Sequence, residues 1–458
     1  MADDFDLVVL GGGPGGYAAA LYGASAGMSI ALVEETRVGG TCLHRGCIPA
    51  KQLLQTAEVL RTVRGAGDFG VHSSSPTLDL SATQIRKHAV IDKLTTGLET
   101  LLRNGKAVTV AGTGTLLPDA RTVRASDGSE VRGRNVIITT GSWPRSLPVE
   151  GLGFDGEKVL SSDHVLELDY VPAKVAVIGG GAIGCEFASC LLDMGSEVTL
   201  LEVLPQILAG VDQQVAQTVS RAFIKRGMKV QTGVQVKGFD GRVMTFDGKN
   251  GEEKLEADVV VVSVGRRPRS ESIGLDAAGV KVDEGGFVVV DGHMRTNVDG
   301  VYASGDVTAT PQLAHVAYAE SIVAVKTMLG EEALPIEYDR VPWGIYCHPE
   351  VAFCGLTEAQ ARERGYDVET SVHRWGGIGR ALIIGETEGV VKIVSERNGP
   401  ILGVHIAGPW ATELIAEGYL SVNWEATASD VAKLVHAHPT LSELFGESVF
   451  ALTGRSYT

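Results

Sequence analysis

Two cysteines five residues apart sit in the run Gly39-Gly40-Thr41-Cys42-Leu43-His44-Arg45-Gly46-Cys47-Ile48-Pro49-Ala50-Lys51. Thiols at that spacing offer three chemistries: a redox disulfide, half of a metal site, or two buried thiols packed as small apolar groups. On an ideal α-helix the axial rise over five residues is about 7.5 Å, beyond the roughly 7 Å between Cα atoms that a disulfide tolerates. A bridge therefore needs a break in the helix, and Gly46 and Pro49 are residues that permit one. A disulfide held in such a loop is more readily reduced than a relaxed structural one. The metal reading lacks a second cysteine–histidine pair at zinc-type spacing, so the redox pair ranks first and no metal is expected. A second chemically able cluster lies near the C-terminus, His436-Ala437-His438-Pro439-Thr440-Leu441-Ser442-Glu443. It carries an imidazole, the side chain suited to moving protons near neutral pH, and a carboxylate five residues on.

The elements that must position these groups are written twice. Asp6-Leu-Val-Val-Leu-Gly11-Gly-Gly13-Pro-Gly-Gly16 leads through a small-residue helix to Ser29-Ile-Ala-Leu-Val33-Glu34. Lys174-Val-Ala-Val-Ile178-Gly179-Gly-Gly181-Ala-Ile-Gly184 leads through another helix to Glu197-Val-Thr-Leu-Leu201-Glu202. Each reads strand, glycine turn, helix, strand, acid, and the acid follows the third glycine at the same interval in both. One glycine motif alone is weak; in this context, and duplicated, it indicates dinucleotide binding. The first glycine makes the turn, the second lets backbone approach a pyrophosphate, and the third lets helix pack on strand. The helix N-terminus then offers free N–H groups to the phosphates, and Glu34 and Glu202 accept ribose hydroxyls.

Downstream, Asn135 to Ser142 and Val259 to Gly265 read as buried strands ending in glycine, and Val301-Tyr-Ala-Ser-Gly305-Asp306 as another strand ending beside an acid. From about Pro342 helical stretches (Thr357 to Arg364, Thr412 to Trp424) alternate with strands. The expected fold is therefore α/β, two Rossmann-like domains plus an α+β C-terminal domain. The boundaries are placed at 1–150, 151–268, 269–340 and 341–458. Cys185 and Cys190 fall on the second Rossmann helix and read as core thiols; Cys347 and Cys354 read as packed. With 458 residues, 58 of them glycine, and a net charge of −16, the chain suits many tight turns and disfavours nucleic acid or an anionic membrane as partner. The acidic start, Met1-Ala2-Asp3-Asp4-Phe5-Asp6, shows neither secretory leader nor membrane segment, so a cytoplasmic protein is expected.

The cysteine loop resembles that of the pyridine nucleotide-disulphide oxidoreductases, and the likeness spans nearly the whole chain. It implies a glutathione reductase-like homodimer with FAD-binding, NAD-binding, central and interface domains, and an active site shared between subunits. The first glycine turn would hold FAD and the second NAD. Further cofactor contacts implied by the resemblance are Lys51, Gly114, Thr140, Gly141, Ser142, Asp306, Gln312, Leu313, Ala314 and His315 on the flavin side. Glu186, Val234 and Gly265 are implied on the nicotinamide side. By the same match Cys42 and Cys47 form the redox pair, His438 is the acid–base and Glu443 orients it, while His436 is structural. A thiol with pKa near 8.5 attacks only as thiolate, and an imidazole can take that proton.

The activity implied is oxidation of a dihydrolipoyl group, carried by a subunit of a 2-oxoacid dehydrogenase or glycine-cleavage complex, with reduction of NAD+. Another disulfide, a quinone or a metal ion as substrate is the alternative. NAD rather than NADP follows from Glu202, which would repel a 2′-phosphate, and from Val203-Leu-Pro-Gln206, which offers no arginine to clamp one. Lys51 is expected to pair with Glu186 near the flavin. The loop interior, Leu43-His44-Arg45-Gly46, departs from the family's usual pattern, and its two cationic or titratable residues, His44 and Arg45, are expected to shift the redox poise.

Overall fold

A computed structural model describes residues 4–72, 74–249 and 251–455. Met1 to Asp3 of the acidic start and Ser456 to Thr458 lie outside the described residues. The chain divides into two compact units. The first comprises Met1–Leu53, Ser81–Arg145 and Arg266–Tyr338; the second comprises Leu54–Leu80, Ser146–Gly265 and Asp339–Thr458.

The first unit is built on a seven-stranded sheet. Its order is Val108–Ala111, Ile30–Glu34, Asp4–Leu10, Glu130–Ile138, Thr122–Ala125 and Gly114–Leu116, with Val301–Ala303 pairing Glu130–Ile138. Asp4–Leu10 runs parallel to both neighbours, with Leu7 opposite Ile30 on one side and Asn135 on the other. The unbroken apolar run from Leu7 to Leu10 is what a strand covered on both faces requires. Leu7 and Val9 enter a core with Ala19, Ala20 and Leu32, whereas Val8 and Leu10 enter one with Val123, Val136 and Ile138. Alternate side chains point to opposite faces, and each fully buried Val or Leu contributes roughly 1.5–3 kcal/mol. The helices Pro14–Ser25 and Ala314–Leu329 lie on one another, joined by the Tyr17 and Tyr318 rings.

In the second unit, Lys229–Thr232, Glu197–Glu202, Lys174–Ile178, Val259–Val262 and Val159–Leu160 form a parallel five-stranded sheet. The helix Ala182–Met194 follows the strand Lys174–Ile178. An antiparallel sheet of Trp343–Ile345, Glu350–Gly355, Ile401–Gly408, Val390–Glu396 and Val368–Arg374 carries the helices Ala411–Asn423 and Glu443–Ala451. Two dinucleotide-type sheets, the first mixed with an antiparallel edge and the second wholly parallel, followed by an α+β region, are the architecture expected from the sequence. Cys185 and Cys190 are buried on their helix, and Cys347 and Cys354 are buried free thiols, as read. Among the described residues no helix is long and apolar enough to cross a membrane, and no cluster could hold a metal ion.

One buried ionic group in this unit ties the helix Gln213–Lys225 to the antiparallel sheet. Lys392 Nζ donates to Asp212 at 2.9 and 3.1 Å and to Glu358 Oε2 at 2.8 Å, with Lys392 and Asp212 only 2% and 3% exposed. His405, fully buried beside them, has Nε2 2.9 Å from Leu356 O, and burial depresses its pKa. A lysine is tolerated at such depth because two carboxylates compensate it.

Candidate active site

The two nucleotide turns are near copies. At both Gly11 and Gly179 the backbone turns with φ of +102°, a conformation that favours glycine. A Cβ on Gly16 would stand 1.8 Å from Gly11 O, and one on Gly184 would stand 1.9 Å from Gly179 O. Those third glycines let helix meet strand. The middle glycines differ: a Cβ on Gly13 would find only Gly40 Cα at 3.8 Å, and one on Gly181 nothing within 4 Å. Open space in front of a helix N-terminus is the cradle that a pyrophosphate needs. Glu34 Oε2 accepts Gly12 N–H at 2.7 Å and Oε1 accepts Thr36 N–H at 3.0 Å. Glu202 repeats this with Gly180 N–H at 2.6 Å and Leu204 N–H at 2.8 Å. Each acid therefore braces its own turn.

The cysteine loop is broken between the two thiols, as a bridge between them would require. Gly40–Arg45 and Cys47–Gly65 are separate helices, interrupted at Gly46 with φ −147° and ψ −115°. Pro49 sits in the first turn of the second helix, where no N–H is missed. Cys42 and Cys47 are free thiols, half-buried and hydrogen-bonded to one another. That bond and burial push the Cys42 thiol far up, with Lys51 opposing them.

Around the pair stand groups that the sequence reading missed. The Tyr17 and Tyr318 hydroxyls bond one another, with ring centroids 5.5 Å apart, and burial raises the pKa of both. Both phenols also feel the charge of Cys42 and Cys47. His44 Nε2 lies 2.9 Å from Val38 O, and the Arg45 guanidinium lies 5.3 Å from the Trp143 ring centroid. Trp143 also carries Arg269 at 4.0 Å, which grips Glu35 at 2.7 and 2.8 Å. His44 and Arg45 are thereby fixed on protein rather than left in solvent.

Among the residues expected to face a flavin, Ser142 Oγ donates to Asp306 Oδ2 at 2.5 Å and receives Arg266 Nε at 2.6 Å. Thr140 Oγ1 donates to Arg269 O at 2.6 Å, and Gly141 O accepts Arg269 N–H at 2.8 Å. Gly305 N–H donates to the buried Glu320 at 2.6 Å, whose other oxygen accepts Tyr338 OH at 2.9 Å. Burial raises the Glu320 pKa. Gln312 ends in a buried Nε2 without a hydrogen-bond partner, just before Leu313 caps the helix that begins Ala314-His315. A Cβ on Gly114 would press on Leu10 and Val33, so packing accounts for its glycine. In the second unit Val234 N–H donates to Glu202 O at 3.1 Å, Gly265 turns with φ +107°, and Glu186, buried, accepts Tyr346 N–H at 2.9 Å.

The C-terminal signature forms a dyad. His438 Nδ1 lies 2.8 Å from Glu443 Oε1, and Glu443 Oε2 accepts Thr440 N–H at 2.7 Å. Desolvation works to raise the Glu443 pKa, but the Thr440 N–H and His438 outweigh it and hold the carboxyl below its usual range. His438 is 78% exposed with its other ring nitrogen free for substrate, whereas Glu443 is 18% exposed. His436 is packed instead, its Nε2 2.8 Å from Glu417 and its ring set against Phe445. That is the structural place expected of it.

These residues fit two dinucleotides. The open middle glycines, the braced acids and the orphaned Gln312 amide are the features that a flavin nucleotide and a nicotinamide nucleotide would satisfy. A family model described as pyridine nucleotide-disulphide oxidoreductase matches residues 5–321, and one described as the dimerisation domain of the same group matches 341–449. A dihydrolipoyl dehydrogenase from Bacillus subtilis is 40% identical over 475 aligned residues, covering 100% of this chain and 99% of its own. Among solved structures, LpdA from Mycobacterium tuberculosis superposes with a TM-score of 0.89 at 26% identity, covering 97% of this chain and 99% of its own. The HOCl-induced flavoprotein disulfide reductase RclA from Escherichia coli gives 0.86 at 26% identity, with the same coverage of both chains.

Proposed function

The chain belongs to the pyridine nucleotide-disulphide oxidoreductase family, and from that premise we propose its reaction: oxidation of a dihydrolipoyl dithiol to the cyclic disulfide, with NAD+ becoming NADH. It uses FAD and NAD. The observation that carries the reading is the pair of thiols hydrogen-bonded across the Gly46 break, an arrangement that can close to a disulfide and reopen.

Each residue has a task. His438, held through Nδ1 by Glu443, presents Nε2 and removes the proton from a substrate thiol, the role of a general base fixed in one tautomer by a carboxylate. The substrate thiolate attacks Cys42 Sγ, the Cys42–Cys47 bond breaks, and Cys47 leaves as thiolate. The second substrate thiol gives up its proton, attacks its partner sulfur and displaces Cys42, closing the lipoyl ring. Two electrons and two protons have then left the substrate. FAD held at the first nucleotide turn would supply the two-electron relay between the Cys47 thiolate and NAD+, so that the cysteine pair returns to its disulfide. The turn Gly11–Gly16 with Glu34, and Ser142, Asp306, Gln312 and His315, hold the flavin; the turn Gly179–Gly184 with Glu202 holds the nicotinamide nucleotide. Lys51 balances charge near the flavin.

The chain carries the family's dimerisation domain, and the exposure of His438 supports a dyad that serves the cysteine pair of the partner subunit. The lipoyl group arrives on a subunit of a 2-oxoacid dehydrogenase or glycine-cleavage complex. Free buried thiols suit a reducing compartment, which supports the cytoplasm. The test compares NADH formation from free dihydrolipoamide with turnover of glutathione disulfide, a quinone and Cu(II). Fastest turnover of dihydrolipoamide is expected; faster turnover of any of the others overturns the substrate assignment.

A further inference from the structure

The helix opened by the second nucleotide turn, Ala182–Met194, is anchored along one polar stripe. Glu186 takes Tyr346 N–H near its start. One turn on, Ser189 Oγ accepts His348 N–H at 2.9 Å and Arg226 Nη1 at 3.2 Å. In the last turn Asp193 gathers three arginines. Arg61 Nη1 lies 2.7 Å from Oδ2, Arg226 Nη2 lies 2.5 Å from Oδ1, and Arg64 Nη1 donates to its main-chain carbonyl. Arg226 donates further to His348 O. Positions 186, 189 and 193 are spaced by three and four, so they share one face. All of these residues belong to the second unit.

The knot is built for charge. The Asp193 side chain is 10% exposed. The adjacent His348, pushed down to about 2 by burial and by Arg61 and Arg226, stays neutral and adds no further cation. Glu386 lies 3.7 Å from His348 Nε2, and burial raises its pKa. Asp193 is thus the carboxylate that both guanidiniums grip directly.

We propose that Asp193 is a positioning residue for the nicotinamide nucleotide. A helix of thirteen residues is a rod of about 20 Å. Its N–H groups at Gly181–Gly184 face the pyrophosphate, and its far end is pinned by Asp193. Without that carboxylate, Arg61 and Arg226 repel each other across the gap, the rod tilts, and the turn moves out of register with the nucleotide. A displacement near 1 Å at a reacting centre can lower rate about 10²-fold. The proposal rests on the reading above only for the identity of the nucleotide.

The test uses the FAD-loaded full-length protein and two half-reactions. In one, NADH reduces the enzyme and ferricyanide takes the electrons singly, so no dithiol is involved and the result stands whatever the thiol substrate. In the other, dihydrolipoamide reduces the enzyme in a single turnover. Asp193→Ala is expected to raise the KM for NADH about tenfold, with the dihydrolipoamide rate within about twofold of wild type. Asp193→Asn, which keeps one acceptor, should fall between. An unchanged KM for NADH in FAD-loaded Asp193→Ala, or an equal fall in both half-reactions, overturns the proposal. Should Asp193→Ala lose its flavin, Arg61→Met at the rim of the knot carries the same comparison, with the same two results deciding it.

Discussion

Glu443 holds His438 with one oxygen and the backbone of Thr440 with the other, at 2.8 and 2.7 Å. The carboxylate therefore cannot swing away when the imidazole takes a proton; it stabilises the imidazolium in place. His438→Gln is expected to lower kcat roughly 10²–10⁴-fold, the usual worth of a positioned general base. Glu443→Gln should cost less, since the ring remains. Steady-state kinetics with dihydrolipoamide and NAD+ measures both, and a Glu443→Gln loss as deep as that of His438→Gln would show Glu443 to be more than an orienting group.

The two glycine classes make a separable pair of predictions. Gly181→Ala adds a methyl to open space and should leave the melting temperature within a few degrees while raising the KM for NAD+. Gly184→Ala drives a methyl onto Gly179 O and should destabilise the protein by about 1–3 kcal/mol or more, as overpacking does. Thermal melts beside KM values distinguish them, and the reverse pattern would remove the second turn from the nucleotide site.

Acid should unfold the protein partly through Lys392. Burial raises the Asp212 pKa, but Lys392, His405 and the Gln214 N–H outweigh it and hold the group below its ordinary 3.8. The Lys392 hydrogen bond holds Glu358 below 4.5, against burial. Both folded values lie under the unfolded ones, so the stability they contribute is complete above about pH 4.5 and is lost as pH falls through the lower folded values. Burial depresses His405 in the same sense, and its share begins to fall below pH 6.5. Lys392→Met strands two carboxylates and should destabilise by about 3–5 kcal/mol at neutral pH, with a shallower acid limb. Urea melts at several pH values read both effects.

What could be read in the sequence was local. Each nucleotide turn spends its three glycines within six residues, so sterics on that scale show in the chain itself. A break between Cys42 and Cys47 followed from the helical rise once the pair was read as able to bridge, with Gly46 and Pro49 as residues that permit it, and His438 and Glu443 lie five apart. Tyr17 and Tyr318 are separated by 301 residues, and Ser142 and Asp306 by 164; only the folded sheets bring them together. Asp193 carries no local signal in the sequence, because its three arginines come from distant segments. Glu320 did carry a signal, an acid flanked by Ala317-Tyr-Ala and Ile322-Val-Ala, too apolar a neighbourhood for a surface carboxylate.

The central claim is that electrons leave the substrate dithiol through Cys42 and Cys47 on their way to NAD+. Anaerobic single turnover tests it directly, with dihydrolipoamide mixed against wild type, Cys42→Ser and Cys47→Ser, each loaded with FAD. Wild type should reduce within the dead time of steady-state turnover, develop a long-wavelength absorbance, and yield one NADH per dithiol when NAD+ is added. Both serine variants should fail to be reduced by the dithiol yet still pass electrons from NADH to ferricyanide. Reduction of either variant by dihydrolipoamide at the wild-type rate would contradict the account.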